Sequence, residues 1–201
     1  MQTQNKKGFT LIELLIVIGI LAVLATVTVL VLNPAELFRQ ARDSQRLSDL
    51  GSLKSALALY LTTASTPDLS GGTFSCATNF GSDKAASAAT AFAGGAASAY
   101  TLKTSSGTST ITGTGWVPVN FSGMTVGSPL SVLPTDPNVS AATTYYAYAC
   151  SEISGATNFT FELNAKMEST RYTTAPDDVI TTDGGNQALR YETGTYPALA
   201  L

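Results

Sequence analysis

The stretch GFTLIELLIVIGILAVLA, residues 8–25, places a single carboxylate, Glu13, near the start of a long apolar run. The run extends from residue 9 to residue 32, and Glu13 is its only formal charge. About 20 apolar residues cross a bilayer core of roughly 30 Å, so the run predicts a transmembrane helix. A short leader, residues 1–8, precedes it and carries two lysines. Because positive flanks stay in the cytoplasm, the chain after residue 32 is expected on the outer side of the membrane.

Two more ordinary interpretations of the run are open. A secretory signal peptide has an apolar region of about 7–15 residues, which is shorter than this run. A plain single-span anchor has no use for Glu13, because a carboxylate near the bilayer centre costs up to about 3 kcal/mol. Glu13 lies only about 6 Å along the helix from Phe9, however, so its carboxylate can also reach the interface. The junction therefore has to be judged by its combined features.

The basic leader, the Gly8-Phe9 junction and the offset of Glu13 together resemble the processing site of type IV pilins and pseudopilins. The resemblance is strong over residues 5–62 and patchy after that. It implies that a prepilin peptidase cuts after Gly8 on the cytoplasmic face and methylates the new amino terminus on Phe9. It also implies that Glu13 pairs with the amine of a neighbouring subunit when helices stack, which would specify register more than it adds stability.

This resemblance implies a structural subunit of a filament rather than an enzyme. The expected partners are further copies of the chain, the prepilin peptidase, and an assembly ATPase with its membrane platform protein. The expected location is the cytoplasmic membrane, with one span and an outer head, and then an extracellular filament. Two alternatives remain: a pseudopilin of a type II secretion or competence system, and a membrane-tethered adhesin or binding module that never polymerises.

Composition agrees with a non-catalytic head. The chain has 201 residues and a formal charge of −3, which becomes −5 when the leader and its two lysines are removed. Residues 63–201 hold ten acids and five cations, and such a head argues against nucleic-acid binding, which needs clustered Lys and Arg. The sequence has no histidine, no Gly-x-Ser-x-Gly elbow and no Walker-type loop, so neither enzymatic activity nor an organic cofactor is expected.

The chain divides by pattern into a leader (1–8), an apolar helix (9–32), an amphipathic helix (33–62) and a head (63–201) with an Ala/Ser/Thr/Gly-rich insert at 73–115. Asn33-Pro34-Ala35-Glu36 predicts a fresh helical start, with Asn as the cap and Pro in the first helical position. An apolar stripe then recurs at spacings of three and four, and it comprises Leu47, Leu50, Leu53, Leu57, Tyr60 and Leu61. A stripe of this period predicts a helix that packs against a sheet.

Strands are predicted in the last third of the chain. Residues 116–121, 144–149 and 158–163 are short runs rich in aromatic and β-branched residues. The second and third runs predict an antiparallel hairpin with Ser154-Gly155 in its turn, and residues 188–192 predict an edge strand. Leu133-Pro134-Thr135-Asp136-Pro137 resembles the turn that leads into such a hairpin in major pseudopilins. The predicted fold class is α+β: a long N-terminal helix on a small antiparallel sheet of three or four strands.

In two regions the sequence pattern fits more than one structure or role. In the insert, residues 83–93 can form a short Ala-rich helix or remain loop. On the amphipathic helix the charged residues are closely spaced, which suits either contacts between subunits in a filament or a solvated helix face. These charged residues are Arg39, Arg42, Asp43, Arg46 and Asp49.

The sequence offers a disulfide and a weak metal site. Cys76 and Cys150 both lie on the outer side of the membrane, where oxidation is tolerated, and the alternative is two buried thiols. Asp177, Asp178 and Asp183 stand in a Gly-bounded loop, and oxygen ligands of this kind suit Ca²⁺. The loop's position resembles the calcium loop of major pseudopilins, but the spacing does not match an EF-hand, and a solvated turn is the alternative.

Overall fold

The structure is a computed structural model that describes residues 8–72, 75–76, 79–84, 101–104, 109–138, 140, 143–152 and 159–195. The chain divides into two compact units, with the boundary after Phe38. Its elements are α1 (Leu11–Leu32), α2 (Pro34–Thr63), β1 (Asn79–Ser82), β2 (Thr101–Thr104), a 3₁₀ turn (Phe121–Gly123), β3 (Tyr146–Glu152), β4 (Phe159–Ala165), α3 (Thr170–Thr173) and β5 (Tyr191–Gly194).

The two long helices are separated at the predicted position. Asn33 ends α1 in the left-handed conformation, with φ of 40°, and Pro34 is the first residue of α2. Proline suits this position because a first-turn N–H has no partner within the helix. The Asn33 carbonyl then accepts the backbone N–H of Glu36 at 3.0 Å. The prediction of a fresh helical start at Pro34 is confirmed.

Helix α2 buries the central part of the predicted apolar stripe, while Leu47 and Leu61 at its two ends are partly buried. Leu50, Leu53 and Leu57 have no exposed surface, and Tyr60 is nearly as well buried. They pack with alternate residues of the central hairpin, which are Tyr146, Tyr148, Cys150, Phe161, Leu163 and Ala165. Each buried leucine contributes roughly 1.5–3 kcal/mol relative to an exposed one, so this layer is the main source of stability of the head.

The sheet has the order β2-β1-β3-β4-β5. Strands β3 and β4 form the predicted antiparallel hairpin, with Tyr146 opposite Ala165 and Glu152 opposite Phe159. The predicted turn at Ser154-Gly155 lies outside the described residues. Strand β5 pairs with β4 at one edge and overlaps the edge strand predicted at 188–192. The α+β class, with a long N-terminal helix and a small antiparallel sheet, is confirmed.

One strand prediction is wrong. Residues 116–121 form no strand: the only pairing there is an isolated bridge between Thr112 and Asn120. Pro118 lacks the N–H that a strand interior would require. The segment instead places Trp116 and Phe121 into the core as a loop over the end of α2.

The insert, in contrast, supplies two strands that sequence pattern did not predict. Strand β1 pairs antiparallel with β3, and β2 pairs parallel with β1, so the described sheet has five strands rather than three or four. Of the helix considered at 83–93, only Asp83 and Lys84 are described, and they form a bend after β1. The rest of that stretch lies outside the described residues.

Candidate processing and assembly site

The predicted cleavage junction is exposed and lies outside the helix. Gly8, Phe9 and Thr10 precede α1, and Thr10 has an extended backbone with φ of −81° and ψ of 151°. The side chain of Phe9 is 89% exposed, and no atom lies within 4 Å of the position a Cβ would take on Gly8. The peptide bond between Gly8 and Phe9 is therefore open to a second protein. The two leader lysines lie outside the described residues.

Glu13 has a second role that the sequence analysis missed. Thr10 caps α1 by accepting the backbone N–H of Glu13 at 3.2 Å, and Glu13 Oε2 in turn accepts the backbone N–H of Thr10 at 3.2 Å. This reciprocal capping box satisfies two N–H groups that the helix start leaves without partners. The spacing Thr-x-x-Glu before an apolar run is its sequence signal, so it was predictable. The capping box therefore holds the Glu13 carboxylate at the N-terminal end of α1.

Helix α1 is apolar on every side and exposed on every side. None of its 22 residues is buried, and it is long and apolar enough to cross a membrane. Side chains such as Leu14, Ile16 and Val23 remain more than half exposed. A helix that is hydrophobic all round is stable only inside lipid or among other apolar helices. The N-terminal helix thus fits membrane anchoring and presents a surface that needs an apolar environment.

Two buried side chains of the second unit form an ion cluster that the sequence analysis did not predict. Arg46 and Asp43 on α2 have no exposed side-chain surface and are joined by a 2.6 Å contact from Nη1 to Oδ1. Arg46 also donates from Nε to Asp136 Oδ2 at 2.8 Å and lies 2.9 Å from Glu168. Burial disfavours the guanidinium charge, but the hydrogen bonds and charge of Asp136, together with Asp43 and Glu168, outweigh it and raise the pKa of Arg46. The arginine therefore stays charged inside the head.

The cluster ties the helix to three separate loops. Asp43 Oδ2 accepts the backbone N–H and the hydroxyl of Ser169, which lie just before α3. Asp136 lies in the turn Leu133-Pro134-Thr135-Asp136-Pro137, and its Oδ1 accepts a hydrogen bond from Lys84 Nζ at 3.2 Å. Its own backbone N–H donates to Asp83 at 2.6 Å. Burial raises the pKa of Asp83 to about 6, because its two backbone donors offset the desolvation only in part.

These contacts correct the interpretation of the charges on α2. Asp43 and Arg46 are neither a solvated face nor a surface for a neighbouring subunit, because they are buried within their own chain. Arg42 pairs with Glu168 at 2.7 Å, and Asp49 accepts the Tyr146 hydroxyl at 2.8 Å. Arg39 also has a contact of its own. The charges on α2 therefore serve mainly to fix the head on the helix.

The predicted disulfide is present. Cys76 and Cys150 are joined with an S–S distance of 1.99 Å and a Cα–Cα distance of 4.7 Å. The bond connects the described start of the insert to the middle of β3, across a sequence separation of 74. Closing a loop of this length stabilises a fold by roughly 4 kcal/mol in the chain-entropy model.

The structure does not bring the three predicted calcium ligands together. Asp177 pairs with Arg171 at 3.0 Å. Asp178 accepts three donors from Ile180 and Thr181, and Asp183 accepts the backbone N–H groups of Gly185 and Glu192. Within the described part of the chain, no group of three or more such side chains could hold a metal ion. The carboxylates thus accept hydrogen bonds within their own loop, and a calcium site there stays a prediction.

An exposed apolar helix after an open junction, together with an α+β head on an amphipathic helix, defines a pilin-like architecture. Residues 3–29 match the family model of the prokaryotic N-terminal methylation motif, the hallmark of the prepilin-type cleavage site of type IV pilins and pseudopilins. The family consists of structural subunits, and its motif implies in general both processing by prepilin peptidase and polymerisation. No curated protein matches the chain significantly. No solved structure does so either.

Proposed function

We propose that this chain is the structural subunit of a type IV pilus-like filament, processed after Gly8 and polymerised through α1. The observation that carries the proposal is the position of the methylation motif on the open junction and the fully exposed apolar helix. The head already buries the apolar face of α2 against its own sheet. Helix α1 has no such cover, and copies of itself can provide one after it leaves the lipid.

The junction suits proteolysis followed by modification of the amine. Gly8 and Phe9 are exposed and lie outside the helix, so a peptidase can bind them without unwinding α1. Hydrolysis frees the amine of Phe9. Transfer of a methyl group to this amine from a sulfonium-type methyl donor would release one proton, and the resulting secondary amine is protonated and positively charged at neutral pH. The prepilin peptidase would act on the cytoplasmic face, while the acidic head stays outside and the chain remains a single-pass protein of the cytoplasmic membrane.

Glu13 would supply the carboxylate that pairs with the processed amine of a neighbouring subunit. Its carboxylate already lies within hydrogen-bond distance of the N–H of Thr10, one residue after the new terminus. In a stack of helices, the amine of one subunit would meet the Glu13 carboxylate of the next. Because a buried ion pair is sensitive to geometry, this contact would select one helix register over others. An assembly ATPase and its membrane platform would supply the work of extraction.

The test is mass spectrometry of the amino terminus in membrane and sheared-surface fractions of cells that express the wild type or Glu13→Gln. Glutamine preserves a capping box, so α1 should still form and insert, but it removes the negative charge. We expect wild-type chains that begin at methylated Phe9 in both fractions. We expect Glu13→Gln chains to be cut but to remain in the membrane. Wild-type chains that keep the leader, or a variant that assembles normally, would contradict the proposal.

A pseudopilin shares the same motif, so the alternative filament is a short piston of a type II secretion or competence system. Length separates the two functions. A surface pilus yields long fibres in the sheared fraction, whereas a pseudopilus yields processed subunits that stay with the envelope even for the wild type. Electron microscopy of both fractions, labelled for the head, distinguishes the two outcomes.

A further inference from the structure

A pocket lies in the head where α2 ends, and we call it the terminal pocket. One wall is the end of α2 with the residues that follow it, 63–66, and the other comes from residues 120–125, which include the 3₁₀ turn. The pocket has a volume of about 250 Å³. Clefts for drug-sized ligands have volumes of about 300–1,000 Å³, so the terminal pocket suits a smaller ligand with a single ring.

The apolar part of the terminal pocket is held in place by contacts within the chain. Tyr60 and Met124 line the pocket and are otherwise buried. The ring of Tyr60 packs edge-on against Phe121, with the two ring centroids 6.1 Å apart. The Tyr60 hydroxyl accepts the backbone N–H of Asp68 at 3.0 Å and donates to the carbonyl of the same residue at 3.3 Å. Because a ligand does not have to order this ring, binding loses little side-chain entropy.

Polar groups surround this apolar part, and several have hydrogen-bonding capacity to spare. Asn120 Oδ1 accepts the Ser122 hydroxyl at 2.7 Å and the Gly123 backbone N–H at 3.2 Å, which fixes the side-chain amide. The Nδ2 group of the same amide donates to none of the described residues. The lining hydroxyls that likewise bond to none of the described residues are those of Ser65, Thr66 and Thr125. The pocket thus offers both donors and acceptors to a ligand.

Charge narrows the class of ligand. None of the described residues that line the terminal pocket carries a formal charge. The last turn of α2 has no basic residue, and the C-terminal end of a helix carries partial negative charge, which disfavours an anion. A cation would find no carboxylate in the lining to replace its hydration. A neutral ligand therefore fits best, and a pyranose ring has the matching surface: an apolar face of C–H groups and a rim of hydroxyls that both donate and accept.

We propose that the terminal pocket binds one neutral monosaccharide unit of a glycan, with a C–H face of the sugar against Tyr60 and Met124 and its hydroxyls on Asn120 and the lining Ser and Thr residues. This function goes beyond the proposed filament role, because it needs only the folded head. A single small ring in an open pocket binds weakly, with a Kd on the order of 1 mM. Repeated copies on a filament would raise the effective affinity for a glycan that presents several such units.

Methionine methyl NMR of the full chain tests the proposal. The chain has three methionines, and the two in the head are Met124, in the terminal pocket, and Met167, which lines a different pocket. Protein with ¹³C-labelled methionine methyl groups, in micelles of a detergent that carries no sugar, is titrated with the methyl glycosides of glucose, galactose and N-acetylglucosamine. We expect at least one glycoside to shift the Met124 resonance along a saturable curve and to leave Met167 unchanged. The absence of such a curve with all three glycosides would overturn the proposal.

Two substitutions at neighbouring positions separate the pocket from its surroundings. Thr125→Trp places a bulky side chain in the lining and should abolish the response of Met124 to the glycoside. Val126→Trp is the matched control: it adds the same bulk at an exposed residue outside the lining, and it should keep the wild-type affinity. A Thr125→Trp chain that binds as the wild type does would contradict the assignment of the pocket. The Met167 resonance reports whether each variant is folded.

Asn120→Ser tests the amide without adding bulk. Serine keeps an oxygen suited to cap the 3₁₀ turn, but it lacks the NH₂ group that would donate to the sugar. We expect the Kd of the glycoside to rise several-fold, with the Met167 resonance unchanged. An unchanged Kd would count against the proposal, and this variant decides the matter if Thr125→Trp does not fold.

Discussion

At the scale of single residues, the head depends on a charged cluster that follows the same helical period as its apolar core. The buried face of α2 runs through Asp43, Arg46, Leu50, Leu53, Leu57 and Tyr60, at spacings of three and four. The helical period continues the leucine stripe through Asp43 and Arg46, but the sequence analysis assigned these charges to a solvated face or to contacts between subunits. What the sequence lacked was their partners: Asp136 is 90 residues from Arg46, and Glu168 lies farther still along the chain. Only the fold brings these acids to the helix.

Arg46→Ala should destabilise the head strongly. It leaves Asp43 and Asp136 buried without their cation, and loss of one partner from a buried pair costs about 3–5 kcal/mol. Arg171→Ala is the matched control, because the side chains of Arg171 and Asp177 are 53% and 51% exposed and such a pair contributes less than about 1 kcal/mol. Urea unfolding of the full chain in micelles, followed by the fluorescence of the buried Trp116, measures both. Equal midpoints for the two variants would show that the cluster is not a major source of stability.

Glu168 should make part of this stability dependent on acid. Burial disfavours its charge, but hydrogen bonds from Arg42 and Arg46 outweigh burial and lower the pKa of Glu168 from 4.5 to about 2. A lowered pKa gives stability that is present above the ordinary value and is lost as the pH falls towards the folded value. The difference in urea midpoint between wild type and Glu168→Gln should thus be constant above about pH 5 and shrink between 4.5 and 2. A difference that is the same at pH 6 and pH 3 would contradict this coupling.

At the scale of elements, the long and strongly periodic segments were predictable and the short ones were not. The break at Pro34, the stripe on α2 and the β3–β4 hairpin all follow from local pattern. Strands β1 and β2 have only four residues each, and they come from a stretch whose Ala, Ser and Gly content gives no alternation. Strand β1 pairs with β3, which is distant in sequence, and β2 pairs with β1. At 116–121 the strand-like composition reflects core packing of a loop rather than pairing.

Two glycines should respond in opposite directions to alanine. On Gly194 of β5, a Cβ would lie 2.1 Å from the Phe161 carbonyl oxygen, so Gly194→Ala must displace the edge strand at a cost of about 1–3 kcal/mol. On Gly51 of α2, a Cβ would have no atom within 4 Å, and alanine should stabilise the helix by up to about 1 kcal/mol. Thermal unfolding in micelles should lower the Tm for the first variant and raise it for the second. A raised Tm for Gly194→Ala would mean that β5 is not held against β4 as described.

At the scale of the whole molecule, the two units differ in whether their apolar surface is covered within the chain. The unit from Arg39 onward has its own core, ion cluster and disulfide. The unit up to Phe38 has an apolar helix with no buried residue. The first is complete within one chain, whereas the second requires lipid or other helices to cover it. This contrast is what a subunit needs if it is to move from a membrane to a filament without refolding its head.

Replacement of α1 by an unrelated apolar span should therefore separate anchoring from assembly. A span of the same length that keeps residues 1–13, with the junction and Glu13, but substitutes a Leu/Ala sequence for residues 14–32 retains the hydrophobic length needed to cross a bilayer. We expect this chain to insert and to be cut after Gly8, with its head folded and its disulfide formed. We expect it to be missing from the sheared fraction, because close packing of helices depends on the shapes of the side chains along α1 and not on hydrophobicity alone. A tethered binding module that never polymerises would tolerate the exchange. That class would be favoured if the wild type formed no fibres and the replaced chain behaved like the wild type in every fraction.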